Sequence, residues 1–331
     1  MNKFLFLFLF SIFTFAQVSV SSRHVGGLKK IKTEEFSKIK NTKTIFVLSD
    51  VYTTNEYNQM LTDTWTFTPY EVVKIDDFDL TKYDFDKTSF VLLGGHTIDV
   101  TLKSGSIVTK YFTYVDLFMF NKNKKNKEIE KYKAKSVKKQ KKYFLFTENR
   151  EEFARFYLLP NHELLLDLFK GNTSFPIFRI PGFFNYKLGF LKNYFQFINN
   201  KMINNESYWF YQNSSTSEFK QLKTKKLYVP SYIITHLSGD DEEKINSKLE
   251  DYFKDYDYKY ELIDDDVLNK KILEGEEFYY LRYARVNTER FLQVINSKTG
   301  EIVYANYITG MAIKLKPKHI KELSKDISKS K

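Results

Sequence analysis

The residues best placed to do chemistry in this 331-residue chain are its carboxylates and lysines, because it contains no cysteine. That absence removes disulfides, thiolate metal sites, a Cys nucleophile and lipid attachment through an N-terminal Cys. Two acidic triplets, Asp76, Asp77 and Asp79 and then Asp264, Asp265 and Asp266, stand at what read as equivalent strand exits. Paired carboxylates can share acid–base work or hold a cation. Acids are also what a helix N-terminus or a turn prefers, and no Asp-x-Asp-x-Asp-Gly calcium loop is present. The five histidines, His24, His96, His162, His236 and His319, are not spaced as metal ligands on a helix, and His162-Glu163 lacks the second His of a zincin motif. Gly94-Gly95-His96 is not part of a Gly-x-x-x-x-Gly-Lys or Gly-x-Gly-x-x-Gly motif and reads as a strand-end turn or bulge. No Gly-x-Ser-x-Gly elbow occurs, and no Ser-x-x-Lys pair has a supporting constellation. The sequence therefore names no catalytic residue, cofactor or metal ligand.

The lysines are concentrated. Residues 121–142 hold eleven Lys and two Glu, which is +9 of the formal +11. With that segment and Lys3 set aside, the rest of the chain carries only +1. Candidate anion-binding residues are Lys124, Lys125, Lys138, Lys139, Lys141 and Lys142. Their fitting ligands are an acidic glycan or an anionic lipid head group. Nucleic acid fits less well, because Tyr132 is the one aromatic available for base stacking. Blocks of like charge repel and stay solvated, so the segment is expected to be a poorly ordered insertion or a projecting helix.

The elements that must position any site are clearest at residues 291–307, FLQVINSKTGEIVYANY. Two runs of strand formers flank Asn296-Ser297-Lys298-Thr299-Gly300, and Gly300 can supply the positive φ of a tight hairpin. Residues 101–112 echo that layout, with Lys103-Ser104-Gly105 at the turn and Ile107-Val108 where Ile302-Val303 follow Gly300. Upstream, Tyr70-Glu71-Val72-Val73 matches Tyr260-Glu261-Leu262-Ile263, and Ile45-Phe46-Val47 matches Leu227-Tyr228-Val229. Matches in the same order indicate an internal duplication. The predicted fold class is α/β (α+β), with two related domains, each a mixed β-sheet with helices packed on it.

Residues 1–16 read as a secretory signal peptide. Lys3 precedes a short apolar run over 4–15, and a cut after Ala16 suits Thr14-Phe15-Ala16. The mature chain is then expected to have no transmembrane span and to lie in the periplasm or outside the cell. Residues 17–42 read as a flexible lead-in, and 43–160 as a first α/β domain carrying the Lys-rich insertion 121–142. Residues 161–212 form a bridging segment with a helix over 186–203. Residues 213–226 read as a linker, and 227–331 as a second α/β domain. Local signals support this plan. Thr53 and Glu56 have capping-box spacing before a helix. Residues 90–93 read as a strand ending at Gly94-Gly95, and 227–235 as a strand carrying Pro230. Asp264 starts a short helix that Gly275 can end, and Pro317 suits the first turn of a last helix. With 32 Phe and 24 Tyr, core material for two domains is ample.

The strand–turn–strand Asn296-Ser297-Lys298-Thr299-Gly300-Glu301-Ile302-Val303, at the end of a domain with this element order, resembles the α/β domain of envelope-assembly proteins. These include the curli-secretion lipoprotein family, LpoB-type outer-membrane activators and the TolB amino-terminal domain. The likeness covers residues 227–307; in the first half Ser104-Gly105-Ser106 replaces Thr-Gly-Glu, and the lipid-bearing Cys of the lipoprotein members is missing. The Phe-rich leader ending in Phe-Ala-Gln is similar to those of exported Bacteroidota proteins. The resemblance implies a non-catalytic scaffold whose partner is another envelope protein. The runner-up reading is a secreted hydrolase using carboxylates near the strand ends, which requires two acids to converge in one pocket.

Overall fold

The computed structural model describes residues 18–24, 27–102, 104–133, 149–169, 176–179, 181–209, 211–238, 245–286, 289–308 and 315–331. Residues 1–16, expected to be a signal peptide, and Lys138, Lys139, Lys141 and Lys142 lie outside them. The fold is α+β, with two six-stranded mixed sheets and helices packed on them. The first sheet contains β1 (Val18–Val20), β2 (Lys43–Val47), β3 (Tyr70–Val72), β4 (Thr88–Thr101), β5 (Ile107–Phe120) and β6 (Arg150–Tyr157), in the order β1-β6-β5-β4-β2-β3. The second contains β7 (Ser214–Ser215), β8 (Leu227–Pro230), β9 (Tyr260–Ile263), β10 (Tyr279–Val286), β11 (Glu289–Asn296) and β12 (Ile302–Ile308), in the order β7-β12-β11-β10-β8-β9. Strand for strand the order is the same. β2 runs parallel to β3 and β4, as β8 does to β9 and β10, and every other pairing is antiparallel. Two similar domains require this layout.

The equivalence differs from the expected one in one place. β3 corresponds to β9 and β2 to β8, as the matched segments imply, but the two glycine turns do not correspond. Gly105 joins β4 to β5, whereas Gly300 joins β11 to β12. The counterpart of the Gly300 turn is the β5–β6 connection, which carries the Lys-rich segment. Both glycines have left-handed φ, +83° and +72°. Turn chemistry is local and repeats wherever a hairpin needs it, whichever strands it joins.

Other expectations are corrected by burial. The lead-in 17–42 holds β1, whose Val18 and Val20 are fully buried, and helix α1 (Thr33–Lys40), whose Phe36 and Ile39 face inward. The linker 213–226 holds β7 and a 3-10 helix, Ser217–Lys223, which buries Leu222 and stacks Phe219 on Tyr304 at 4.5 Å. Strand β4 does not end at Gly94-Gly95 but runs through both. A Cβ at Gly94 would sit 3.1 Å from the Tyr114 ring, so the glycine lets that ring approach the strand closely. Strand β8 stops at Pro230, because Pro cannot donate to a ladder, and a helix begins at Ser231.

Helices α2 (Thr54–Thr62), α3 (Lys122–Lys133), α4 (His162–Phe169) and α5 (Pro176–Arg179) belong to the first half or its exit. Helix α6 (Leu188–Ile203) follows, then α7 (Ser231–Ser238), α8 (Ile245–Phe253), α9 (Asp265–Leu273) and α10 (Pro317–Lys329). Helix α6 buries residues around most of its circumference, as a helix enclosed by other elements must. Toward the first sheet, Tyr194 stacks on Phe156 at 4.5 Å and Phe195 meets Phe46 at 5.4 Å. Toward the second, Phe190 meets Tyr280 at 5.9 Å, and the Arg282 guanidinium lies 4.4 Å from the Tyr194 ring. Its asparagines satisfy buried loop backbone in each half. Asn199 Oδ1 accepts from the amides of Thr66 and Phe67, both at 2.9 Å. Asn193 Nδ2 donates to Ser297 O at 2.8 Å. One apolar cluster therefore runs through both halves. Among the described residues no helix is long and apolar enough to cross a membrane.

Candidate binding cleft at the junction of the halves

In sheets with parallel strands, ligands bind outside the carboxyl ends of those strands. Two such ends face one cleft here. β2 runs into Val51 and Tyr52, and β9 runs into Asp265 at the start of α9. Together with the segment 181–187 they line a cavity of about 350 Å³. A larger trench of about 600 Å³ lies between β12 and α10, but the second half alone lines it.

The aromatic wall is built from the sequence upward. Thr53 caps α2, taking the Glu56 amide at 3.2 Å while the Glu56 carboxylate returns to the Thr53 amide at 2.7 Å. That start aims Tyr57 back under β2, where its hydroxyl donates to Ser49 O at 2.7 Å and meets the Tyr186 hydroxyl at 3.0 Å. The Ser49 amide donates to Tyr186 Oη at 3.0 Å. Tyr52 lies nearly parallel to Tyr186, with ring centres 6.4 Å apart. Burial pushes the Tyr52, Tyr57 and Tyr186 phenols above their ordinary range, so all three are neutral. Opposite stands Asp265, whose carboxyl takes the Tyr232 amide at 3.2 Å. Burial raises its pKa, while that hydrogen bond and Lys187 act against the rise.

Comparison with protein-family models and with curated proteins finds no match.

The other acids are spread over structural tasks. Asp264 caps α9 through the amides of Asp266 and Val267, at 2.8 and 3.2 Å. Asp266 pairs with Lys187 at the cleft rim. Asp79 caps the 3-10 turn Leu80–Lys82, and Asp76 pairs with Arg179 at 2.5 Å. Asp265 lines the cleft, and none of Asp76, Asp77 and Asp79 does. Helix α3 is docked on the first sheet. Lys125 is fully buried, paired with Glu128 at 2.6 Å and set 4.2 Å from the Phe120 ring centre, so it is not offered to an external anion. Lys122 is held by Asp84 and Asp86 at 3.3 and 2.6 Å. Lys124 remains exposed. His162 is exposed, and His319 caps α10 through Nδ1. Among the described residues no group of three His, Asp or Glu could share a metal ion.

Sequence reasoning missed a buried polar cluster on the first sheet. Ser19, Arg155 and Asp116 sit side by side across β1, β6 and β5. Arg155 grips Asp116 with two nitrogens and reaches Glu152 at 3.2 Å, and its guanidinium lies 3.9 Å from the Tyr114 ring centre. The Ser19 hydroxyl meets His24 Nδ1, and His24 Nε2 lies 3.8 Å from Glu152. These are the residue types of a nucleophile, base and acid, but Ser19 and His24 are buried away from any substrate. Burial first, and Arg155 second, hold the His24 pKa well below its ordinary value. The imidazole is thus neutral and its contact with Glu152 is not an ion pair. No motif announces this cluster, because strand pairing alone brings residues 19, 116 and 155 together.

Proposed function

We propose that the protein is an exported, non-catalytic binding or assembly protein of the cell envelope, and that the junction cleft holds its partner. The observation that carries this reading is the two-sided wall. Tyr52 and Tyr186 arrive from one side and Asp265 from the other, across a cavity that both halves line. Aromatic faces with one carboxylate suit the recognition of a partner side chain or small group. The secretory leader read at residues 1–16 and the likeness of residues 227–307 to envelope-assembly domains support the same reading. The hydrolase reading asks for two acids in one pocket, and of the two triplets Asp265 alone lines this one, while Asp264 caps α9 and Asp266 pairs with Lys187. The test is affinity capture from envelope extract with the wild-type chain, Tyr52→Ala and Asp265→Asn. A partner retained by the wild type and lost by both variants is the expected result. A turnover that Asp265→Asn abolishes would replace this reading with the hydrolase.

A further inference from the structure

The junction cleft carries a charge of one sign. Tyr52, Phe183 and Tyr186 line it, with Tyr52 nearly parallel to Tyr186 and Phe183 meeting Tyr186 at 5.9 Å. The faces of such rings are electron-rich. Burial comes first in raising the Tyr52 and Tyr186 phenols, and the fixed charges that add to it are Asp266 and Glu56 at Tyr52 and Asp50 at Tyr186. Asp265 lines the cleft itself, and Lys187, which also lines it, has its ammonium paired with Asp266. Helix starts ordinarily welcome anions, but the three that begin beside this cleft have amides already engaged. Thr53 takes the Glu56 amide of α2 at 3.2 Å, and Asn269 takes the Gly189 amide of α6 at 2.7 Å. Asp264 takes the Asp266 and Val267 amides of α9. The cleft is therefore complementary to a cation.

We infer that the cleft is a guanidinium site, filled by an arginine side chain. This rests on the reading of the cleft as the seat of a partner. A guanidinium is planar, so its face can lie on a tyrosine ring while its edge offers paired N–H groups to a carboxylate. A lysine ammonium is a compact, strongly hydrated charge with no flat face to stack. Asp265 can receive the fork. Its two oxygens offer about four acceptor sites, and the Tyr232 amide takes one of them at 3.2 Å. Burial raises the Asp265 pKa, as it does for a carboxylate short of compensation, and Lys187, which acts against the rise, is paired with Asp266. A bound guanidinium supplies the missing opposite charge. At about 350 Å³ the cavity is small for a ligand site, which suits one side chain rather than a folded segment.

Ligand-observed NMR titration of the full chain with N-acetylarginine amide tests the site. Saturable binding with a Kd of about 1 mM is expected for so small a probe. N-acetylcitrulline amide has nearly the same shape without the charge, and should bind roughly tenfold more weakly. Asp265→Asn, which can still accept the Tyr232 amide, should weaken the arginine probe roughly tenfold and leave citrulline unchanged. Tyr52→Leu should weaken it roughly fivefold, whereas Tyr52→Phe keeps the ring face and should not. Circular dichroism shows whether each variant is folded, and the arginine–citrulline comparison with Asp265→Asn decides the matter if Tyr52→Leu is not. No saturable binding, equal binding of citrulline, or arginine binding that neither Asp265→Asn nor Tyr52→Leu weakens overturns the proposal. Affinity capture separates this site from the reading it rests on. A partner released by excess arginine probe and not by citrulline supports both. A partner lost by Tyr52→Ala and Asp265→Asn but not released by the arginine probe overturns the guanidinium site and leaves the cleft as the partner's seat. Probe binding that these variants weaken, with no partner captured, supports the site, assigns it to a free guanidino compound and ends the partner reading.

Discussion

At the scale of single residues, the tightest constraint is the Asp116–Arg155 pair. Its two charges are almost fully buried, and each is the other's main compensation. Removing one partner of a buried pair leaves an uncompensated charge, at a cost of about 3–5 kcal/mol. Asp116→Ala is therefore expected to lower stability by that amount in urea unfolding, and Asp116→Asn to lower it less. The histidines make stability depend on pH. Burial and nearby cations push His96 and His319 down to about 4, and burial, with Arg155 beside it, holds His24 well below its ordinary value. In the unfolded chain each returns to about 6.5. Between those values the unfolded state binds protons that the folded state refuses, so stability falls as pH is lowered from about 6.5 toward 4. Half-buried Glu152, Asp265 and Glu301, whose pKa values are raised, act in the opposite direction at the acid end. Urea midpoints at pH 7 and pH 5 should show the loss, and His96→Phe should flatten it.

At the scale of elements, the two hairpin glycines separate local strain from packing. Gly105 has φ +83° with open space around it, so Gly105→Ala pays only for left-handed backbone, about 1 kcal/mol. Gly300 has φ +72°, and an added Cβ would fall 2.5 Å from the Asn193 carbonyl on α6. Gly300→Ala must also push the turn off the helix that binds Ser297 O and Lys298 O, and should cost at least about 2 kcal/mol more than Gly105→Ala. Thermal midpoints of the two variants give the comparison. Helix α3 reverses an expectation drawn from charge alone. Its buried Lys125 and Ile129 make it part of the first half, so deleting residues 123–139 should lower the thermal midpoint. Ile129→Ala should account for about 2 kcal/mol or more of the loss. An unchanged midpoint would return the segment to the status of a solvated insertion.

At the scale of the whole molecule, α6 joins two sheets of the same topology into one core. The halves are therefore expected to unfold together. In a Trp209→Phe variant, Trp65 fluorescence reports the first half and far-ultraviolet circular dichroism reports both. Their urea midpoints should coincide, and two separated transitions would show independent halves. Much of this plan was legible in the sequence, because it depends on local pattern. The Thr53–Glu56 capping box, the apolar stripe of α6, the Asp264 cap, Pro317 at the start of α10 and the matched strands β2–β8 and β3–β9 each follow from a few neighbouring residues. What the sequence could not determine is which strands the turns join and which distant residues meet. Gly105 and Gly300 look alike locally and sit in different hairpins. Val18–Val20 is too short to announce a buried strand, and Lys125 reads as solvent-facing until Glu128 and the Phe120 ring close on it. Tyr52 and Asp265 are more than two hundred residues apart, and Asp116 meets Arg155 only through the register of β5 and β6. Pairing across a sheet and packing across a shared helix are non-local, so only the tertiary structure decides them.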